Sequence, residues 1–172
     1  ADLVVANDPD ADRLAVAIPI GSEWRALTGN QIGVLLADHV LSHWTHSERP
    51  IVLNSIVSTP MLADVAAAHG ALFEQTLTGF KWISNASFDL EAAGAGRFAM
   101  GFEEALGYSI GPIVRDKDGI SAALVFVDMV SAAKRSGESV ADLLEDLARR
   151  CGLWVSAQHS IVRPGTEGLG EI

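Results

Sequence analysis

The chain has 172 residues, of which 49% are hydrophobic and 20% charged, a composition typical of one substantial soluble α/β domain. Its formal charge of −10 argues against nonspecific binding to nucleic acid or to anionic membranes, because both depend on clustered Lys and Arg. The single cysteine, Cys151, excludes an intramolecular disulfide framework, is expected to be a buried inert thiol and favours a reducing, cytoplasmic location.

The first elements in chain order are two short predicted strands separated by an acidic loop. Apolar residues at 3–6 and 14–18 flank the sequence DPDADR at residues 8–13. A turn at 21–22 follows, and apolar residues at helical spacing predict a helix over about 31–46. Because the chain enters a strand at once and has no initiating Met, we expect it to be a piece of a longer polypeptide.

From residue 51 onward, predicted strands and helices alternate. They are a strand at 51–57, a helix that begins at Pro60 after Ser58 and Thr59 as caps and ends at Gly70, a strand at 71–76, a helix at 79–92 and a strand at 97–101. This alternation predicts an α/β fold with a mixed, mostly parallel sheet flanked by helices.

Two later helices carry apolar stripes that we expect to face the core. The stripe residues are Ile120, Ala123, Leu124 and Val127 in one helix and Val140, Leu143, Leu144 and Leu147 in the other. Beyond these helices, residues 153–162 predict a strand that leads out of the domain, and residues 164–170 have the composition of a linker.

The DPDADR loop has the composition of a divalent-metal site. Asp8, Asp10 and Asp12 place three carboxylates at alternate positions, and a hard cation with oxygen preference, Mg²⁺ or Mn²⁺, would offset their mutual repulsion. Arg13 follows at once, and a guanidinium grips phosphate oxygens in a bidentate way. The loop therefore predicts a metal site that meets a phosphate.

Two other interpretations of this loop compete with a metal site that meets a phosphate. An EF-hand that started at Asp8 would need Gly at its sixth position and Glu at its twelfth, where this chain has Arg13 and Pro19. A solvated acidic turn without a ligand stays open on spacing alone.

Three further segments carry candidate binding groups. GFEEALGY at 101–108 delivers paired carboxylates to the carboxyl edge of the sheet, where they suit sugar hydroxyls or form a solvated turn. TGFKW at 78–82 sets Lys81 on the first turn of a helix, near an anion or with its stem along an apolar surface. In RDKDG at 115–119, the neighbours of Lys117 can adjust its pKa.

Other signals are missing or weak. The chain has neither GxGxxG nor GxxxxGK[ST], and its histidines form no HExxH pair. His39, His43 and His46 are predicted on one helix face, but no acidic or cysteine partner supports a zinc site.

In this order, DPDADR, TGFKW, GFEEALGY and DKDG resemble the α-D-phosphohexomutase superfamily, most of all its phosphoglucomutase/phosphomannomutase members. The resemblance covers nearly the whole chain. Members have four domains, so it implies that residues 1–27 are the end of domain 2 with the metal loop. Residues 28–155 would be domain 3 with the sugar-binding loop, and residues 156–172 a linker towards domain 4.

The resemblance also implies roles for individual residues. Asp8, Asp10 and Asp12 would hold Mg²⁺, whose remaining ligand in the family is a phosphate oxygen on a phosphoserine. The implied catalytic residues are Arg13 beside that phosphate, Lys81 and Lys117, of which Lys117 is the better general acid or base. The implied substrate-binding residues are Thr78, Glu103 and Ala105, with Glu103 on the sugar hydroxyls.

The implied reaction moves phosphate between the 1- and 6-hydroxyls of glucose or mannose phosphate through a bisphosphate intermediate. Two departures from the family loop, Ala105 in place of Ser and Tyr108 in place of a frequent His, leave the hexose open and keep a phosphopentose as an alternative. The serine loop of the TASHNP type is absent, as is the phosphate-gripping loop of domain 4; the similar residues 163–168 lack its Ser. We therefore expect the isolated chain to be inactive and its affinity for metal to be weak.

Two functions of other classes stay open. The chain could be a non-catalytic metal-binding or interaction module that kept the fold, or part of a hydrolase that uses the same loop. The hydrolase is disfavoured because no nucleophilic Asp motif stands out. The expected partners are a phosphorylated hexose or pentose and the remaining domains of the same polypeptide.

Overall fold

The computed structural model describes residues 1–157, 159 and 162. Its elements in chain order are β1 (Val4–Asn7), β2 (Leu14–Ile20), β3 (Glu23–Ala26), α1 (Gly29–Ser42), β4 (Pro50–Ser55), α2 (Met61–Ala68), β5 (Leu72–Thr76), α3 (Phe80–Ala92), β6 (Arg97–Glu103), β7 (Gly107–Ile110), α4 (Gly119–Ser136) and α5 (Val140–Cys151).

The first three strands form an antiparallel sheet in the order β1-β2-β3. In β2, Leu14, Val16 and Ile18 are buried while the residues between them are more exposed, which is the alternation of a strand with one face on a core. The sequence analysis missed β3. Its four residues include two charged ones and no β-branched one, so they lack the composition by which a strand is found.

The second sheet has the order β5-β4-β6-β7, and β4 runs parallel to both β5 and β6. Every residue of β4 is buried, as its continuous apolar run predicted. The edge strand β7 is antiparallel to β6 and was not predicted, because it follows β6 after only a short turn. The predicted fold class, a mixed and mostly parallel sheet flanked by helices, is confirmed.

Side chains from the two faces of this sheet enter two separate hydrophobic clusters. On one face, Ile51 and Phe98 pack with Phe80 and Ile83 of α3. The other face supplies Phe102 and further residues to a larger cluster. That larger cluster also contains the buried side chains of α1, α2, α4, α5 and β2. The first sheet therefore shares a core with the helices that cover the second sheet, which fixes the position of its loops.

Several predicted boundaries were wrong. The helix predicted over 31–46 begins at Gly29 behind a capping box between Thr28 and Gln31, and it ends at Ser42, so that His46 lies outside it. The strand predicted over 51–57 ends at Ser55. Pro60 occupies the cap position of α2 without a side-chain cap bond, rather than its first helical position.

The apolar stripe predicted for α4 was also wrong. Ile120 is 66% exposed and Leu124 is 72% exposed, whereas Phe126 is fully buried. The buried face runs along Gly119, Ala122, Phe126, Met129 and Ala133. The prediction failed because α4 is apolar on both faces, so that spacing alone could not choose between them. For α5 the stripe is confirmed, with Val140 and Leu147 buried and the remaining two residues packed against the core.

Residues 153–157 form no strand, contrary to the prediction for that segment, and the predicted linker at 164–170 lies outside the described residues. Cys151 is a buried free cysteine at the end of α5, and burial raises the pKa of its thiol. Among the described residues, none of the helices combines the length and apolar character required to span a bilayer.

Candidate functional site

The three carboxylates of the DPDADR loop converge. One carboxylate oxygen from each of Asp8, Asp10 and Asp12 lies within 4.8 Å of the others. The loop turns back at Ala11, which has a positive φ of 57° and donates its backbone N–H to the Asp8 carbonyl at 3.0 Å. Such a left-handed conformation is uncommon for alanine and marks a loop held by its surroundings.

Two cations neutralise part of this charge. Arg13 Nε lies 2.7 Å from Asp8 Oδ2, and Lys117 Nζ lies 2.9 Å from Asp12 Oδ2. Partial desolvation raises the pKa of Asp8, but hydrogen bonds from the backbone and guanidinium of Arg13 outweigh it and lower that pKa to about 2. The bond to Asp12 raises the pKa of Lys117, so its ammonium stays protonated at neutral pH. The side chain that we predicted beside a phosphate, Arg13, contacts the acidic loop itself.

Backbone hydrogen bonds dock the acidic loop onto the turn between β6 and β7 and onto the start of α4. Leu14 donates its N–H to the Leu106 carbonyl at 3.0 Å, and Gly119 donates to the Ala11 carbonyl at 3.0 Å. A Cβ atom at Gly119 would overlap the Arg13 carbonyl, so only glycine permits this approach. The acidic loop and the GFEEALGY segment are therefore neighbours in space, although they lie far apart in the chain.

Glu103 is the last residue of β6, and its Oε1 accepts the backbone N–H of Gly79 at 2.6 Å. Gly79 is the cap residue of α3 and has a φ of 116°. The structure thus brings together the two predicted motifs TGFKW and GFEEALGY, with the carboxylate at a helix N-terminus. The predicted substrate residues Thr78 and Ala105 are both exposed beside this bond.

Lys81 is exposed on the first turn of α3, with its Nζ 5.3 Å from the centre of the Trp82 ring. Lys117 instead packs its stem under Gly107, where a Cβ atom would lie 2.6 Å from Lys117 Cδ. Of the two lysines, Lys117 is therefore the one held against the acidic loop.

Two groups of supporting residues were missed by the sequence analysis. Glu104 Oε2 accepts hydrogen bonds from Ser58 Oγ at 3.0 Å and from Ser55 Oγ at 3.3 Å. Ser58, predicted as a helix cap, instead serves the turn after β6. The available signal was position: Ser55 ends β4 and Ser58 follows it, at the edge where polar groups of an α/β sheet gather.

The second supporting residue that the sequence analysis missed is Arg115, in the loop between β7 and α4. Its guanidinium lies 4.7 Å from the Phe88 ring centre and 4.9 Å from that of Phe98, and it pairs with Glu91 at 2.5 Å. The guanidinium also donates a hydrogen bond to Ser87 Oγ at 2.7 Å. These contacts fasten the charged loop two residues before Lys117.

The acidic loop fits a hard divalent cation by its donor set, since carboxylate oxygens are the ligands that Mg²⁺ prefers. Among the described residues it is the single cluster of at least three such ligands. His39 and His43 are neighbours with ring centres 4.4 Å apart, but no metal cluster of the described chain includes them.

The site thus belongs to an α/β protein in which an acidic loop and a carboxylate turn lie side by side, and comparisons with known proteins identify its family. Residues 28–151 match the family model described as phosphoglucomutase/phosphomannomutase, alpha/beta/alpha domain III. The chain therefore belongs to the phosphoglucomutase/phosphomannomutase family.

Relatives carry several phosphomutase names. A probable phosphomannomutase of Haemophilus influenzae is 43% identical over 174 residues, which cover 100% of this chain and 34% of that protein. A phosphoribomutase of Saccharomyces cerevisiae is 45% identical over 135 residues, covering 73% of this chain and 22% of that protein. The chain thus spans about a third or less of the length of these curated relatives.

Among solved structures, a putative phosphomannomutase from Thermus thermophilus superimposes with a TM-score of 0.72 at 24% identity, covering 88% of this chain and 31% of that one. At this identity the likeness shows the fold. Further relatives bear the names phosphoglucomutase and phosphopentomutase, so the names of the relatives do not agree on one sugar.

Proposed function

We propose that this chain is the metal- and sugar-binding portion of a phosphosugar mutase that moves phosphate between the 1- and 6-hydroxyls of glucose or mannose phosphate. One observation carries the proposal. The three-carboxylate loop is hydrogen-bonded to the turn that follows Glu103, so a cation site and a hydroxyl-binding carboxylate share one edge of the molecule.

We further propose that the chain is part of a longer polypeptide, with residues 1–27 from domain 2, residues 28–155 as domain 3 and residues 156–172 as a linker. The family match over residues 28–151 and the partial coverage of the relatives support this division. A nucleophilic serine that carries the phosphate in transit would then come from another domain. We expect a reducing cytoplasmic location, in keeping with the buried free thiol of Cys151.

In this proposal Asp8, Asp10 and Asp12 hold Mg²⁺. When bound, the ion would neutralise charge on the transferring phosphoryl group. The chain's own contribution is to hold the three carboxylates close together. Arg13 also favours the ionised form of Asp8 by holding its pKa at about 2.

Glu103 would accept hydrogen bonds from the sugar hydroxyls, with Thr78 and the backbone at Ala105 beside it. Its Oε1 is held by the Gly79 N–H, which leaves Oε2 for the substrate. This bond fixes the carboxylate before the substrate arrives, so less conformational entropy is lost on binding.

Lys117 would act at the phosphate. The hydrogen bond to Asp12 raises the pKa of its ammonium, which favours the charged form, and the ammonium can therefore donate a charge-assisted hydrogen bond to an oxygen of the transferring group. Lys81 lies at the N-terminal turn of α3, where the helix dipole adds to its attraction for an anion.

A phosphopentose is the second candidate substrate. It is favoured by Ala105, which removes the hydroxyl of the usual serine, and by the relatives named phosphoribomutase and phosphopentomutase. A non-catalytic binding module is the candidate of another class.

The test is to assay the longer polypeptide with Mg²⁺ and the activating bisphosphate against the 1-phosphates of glucose, mannose and ribose. We expect turnover of at least one of them, and loss of about 10²-fold or more in kcat with Lys117→Gln. Exposed Lys134→Gln is the charge-matched control and should be as active as wild type. Binding without turnover would favour the non-catalytic module, and the substrate with the highest kcat/KM would decide between hexose and pentose.

A further inference from the structure

We infer that Ser58 is a positioning residue for the sugar-binding turn, residues 103–106, and that it acts through Glu104. The inference deepens the proposed function and rests on it, because it concerns how the turn that carries Glu103 is held. Nothing in the DPDADR, TGFKW or GFEEALGY patterns includes Ser58.

The hydroxyl of Ser58 makes two complementary contacts to the same residue. Ser58 Oγ donates to Glu104 Oε2 at 3.0 Å, and the backbone N–H of Glu104 donates to Ser58 Oγ at 3.1 Å. Ser55 Oγ lies 2.8 Å from Ser58 Oγ and 3.3 Å from the same carboxylate oxygen. One serine thus fixes both the main chain and the side chain of Glu104.

Ser58 is itself held rigidly. It is 3% exposed and Ser55 is fully buried, so their hydroxyls work in a medium where a hydrogen bond to a carboxylate is strong. The Ser58 N–H bonds the Ser55 carbonyl at 2.9 Å. Next to it, Asn54 Nδ2 donates to the Thr59 carbonyl at 2.9 Å. These bonds hold the 55–59 turn against the end of β4, so Ser58 is fixed to the central sheet.

The neighbouring contacts show why this anchor matters for the turn. Glu103 is tied to Gly79 on one side, and the Leu106 carbonyl is tied to Leu14 on the other. Leu106 has a positive φ of 68°, a conformation that needs support from its surroundings. Between these two ties, Ser58 bonds both the backbone and the side chain of Glu104.

Loss of the Ser58 hydroxyl should loosen the carboxylate of Glu103 without removing it. In the proposed function Glu103 contacts the sugar rather than the transferring phosphoryl group. Its loosening should therefore weaken binding of the substrate and of the transition state by the same amount. A loss of such uniform binding raises KM and leaves kcat unchanged.

The experiment measures kcat, KM for the sugar phosphate and the Mg²⁺ concentration for half-maximal rate in the longer polypeptide. For Ser58→Ala we expect KM to rise about fivefold, less than the loss of a direct hydrogen bond to a charged group would cause, because Ser58 acts on Glu103 only through Glu104. The kcat and the Mg²⁺ dependence should change less than twofold. The inference would be overturned by a KM equal to that of wild type, or by a variant in which only kcat falls.

Two further variants separate positioning from general destabilisation. Val65→Ala removes buried volume from α2 and should lower the unfolding temperature at least as much as Ser58→Ala while leaving KM unchanged. In a Glu104→Ala background, Ser58→Ala should raise KM by less than twofold, because the contact through which it acts is already gone. A full additional fivefold rise there would overturn the assigned route through Glu104.

The outcomes also separate this inference from the proposed function. A wild-type polypeptide without turnover on any of the three sugar phosphates would overturn the proposed function, and with it the role of Ser58 in that reaction. An active wild type with an unaffected Ser58→Ala variant would overturn the positioning role alone.

Discussion

Asp10 is the residue that tests the acidic loop most cleanly. Asp8 is bonded to Arg13 and Asp12 to Lys117, whereas Asp10 is exposed at the turn and can be changed without breaking either ion pair. We predict that Asp10→Asn weakens binding of Mn²⁺ to this chain at least about tenfold, because a carboxylate ligand is lost. Paramagnetic relaxation of water protons measures the affinity and suits weak binding.

The matched control for Asp10→Asn is Asp89→Asn, which makes the same change of charge at an exposed position on α3. It should leave Mn²⁺ affinity unchanged, and both variants should melt at the wild-type temperature. Equal loss of affinity in the two variants would mean that Mn²⁺ affinity depends on the net charge of the protein and not on the acidic loop.

Gly119 is the residue that lets α4 approach the acidic loop. An added Cβ atom would meet the backbone carbonyl of Arg13 and the side-chain amide of Asn7, and a backbone carbonyl cannot move aside as a flexible side chain can. We predict that Gly119→Ala lowers the free energy of unfolding by about 2 kcal/mol, the usual scale for overpacking. Urea denaturation measures it. The control Ser131→Ala, also on α4 but exposed, should stay within about 0.5 kcal/mol of wild type.

At the scale of elements, the loop between β7 and α4 depends on Arg115. The side chain is 17% exposed and lies between two aromatic rings while it pairs with Glu91. We predict that Arg115→Ala costs about 2–3 kcal/mol of stability, since a largely buried Glu91 loses its partner and the ring contacts vanish. Arg115→Lys should recover less than half of this loss, because an ammonium cannot lie flat between the two rings and bond both Glu91 and Ser87.

Denaturation of the three proteins in urea checks the prediction for Arg115. The contrary result is a lysine variant as stable as wild type, which would mean that charge alone holds the loop. Arg149→Ala, which removes an exposed ion pair within α5, serves as the control and should stay within about 1 kcal/mol of wild type.

The two faces of α4 give another prediction at this scale. Phe126→Ala should cost about 3–5 kcal/mol because the side chain is fully buried. Leu124→Ala should change stability by less than about 0.5 kcal/mol, since Leu124 is 72% exposed. Urea denaturation of both variants at equal protein concentration measures the two changes in the free energy of unfolding. A large effect of Leu124→Ala would show that this face is covered in solution.

The same helix shows how far sequence reasoning reaches. Element type followed from local pattern wherever one face was apolar, as in β2 and α5, and the motif residues were found because their chemistry is local. The orientation of α4 and the existence of β3 are not determined by local sequence. A helix that is apolar on two faces is oriented by its neighbours, and an exposed strand is defined by its partner.

The candidate site divides in the same way. The motifs alone were enough to select four candidate carboxylates: Asp8, Asp10, Asp12 and Glu103. The supporting residue Ser58 could not, because its partner Glu104 lies 46 residues away and only folding brings them together.

At the scale of the whole molecule, the site is made by the meeting of two sheets. The acidic loop belongs to the antiparallel sheet and the sugar-binding turn to the mixed sheet, while the buried residues of β2 share one core with Phe102 and Phe126. Because this core is closely packed, it fixes the distance between the proposed cation site and the proposed hydroxyl-binding carboxylate, Glu103.

The stability of the whole molecule should also depend on pH through His39 on α1. Burial lowers the pKa of His39, and the nearby His43 lowers it further, while Asp128 of α4 and Asp38 raise it. Because the folded pKa lies below the unfolded value, about 6.5, the unfolded chain binds more protons at mildly acidic pH. This contribution of neutral His39 is therefore fully present above that value and is lost as the pH falls below it.

We predict that the free energy of unfolding of wild type falls relative to His39→Gln when the pH is lowered from about 7.5 to about 5.5, a range that brackets the unfolded pKa. The comparison with a variant that cannot titrate at this position removes the pH dependence of all other groups. Urea denaturation at both pH values gives the two differences. The opposite sign, a wild type that gains stability over the variant on acidification, would mean that the pair with Asp128, whose oxygen lies 3.2 Å from His39 Nε2, outweighs the burial of the ring.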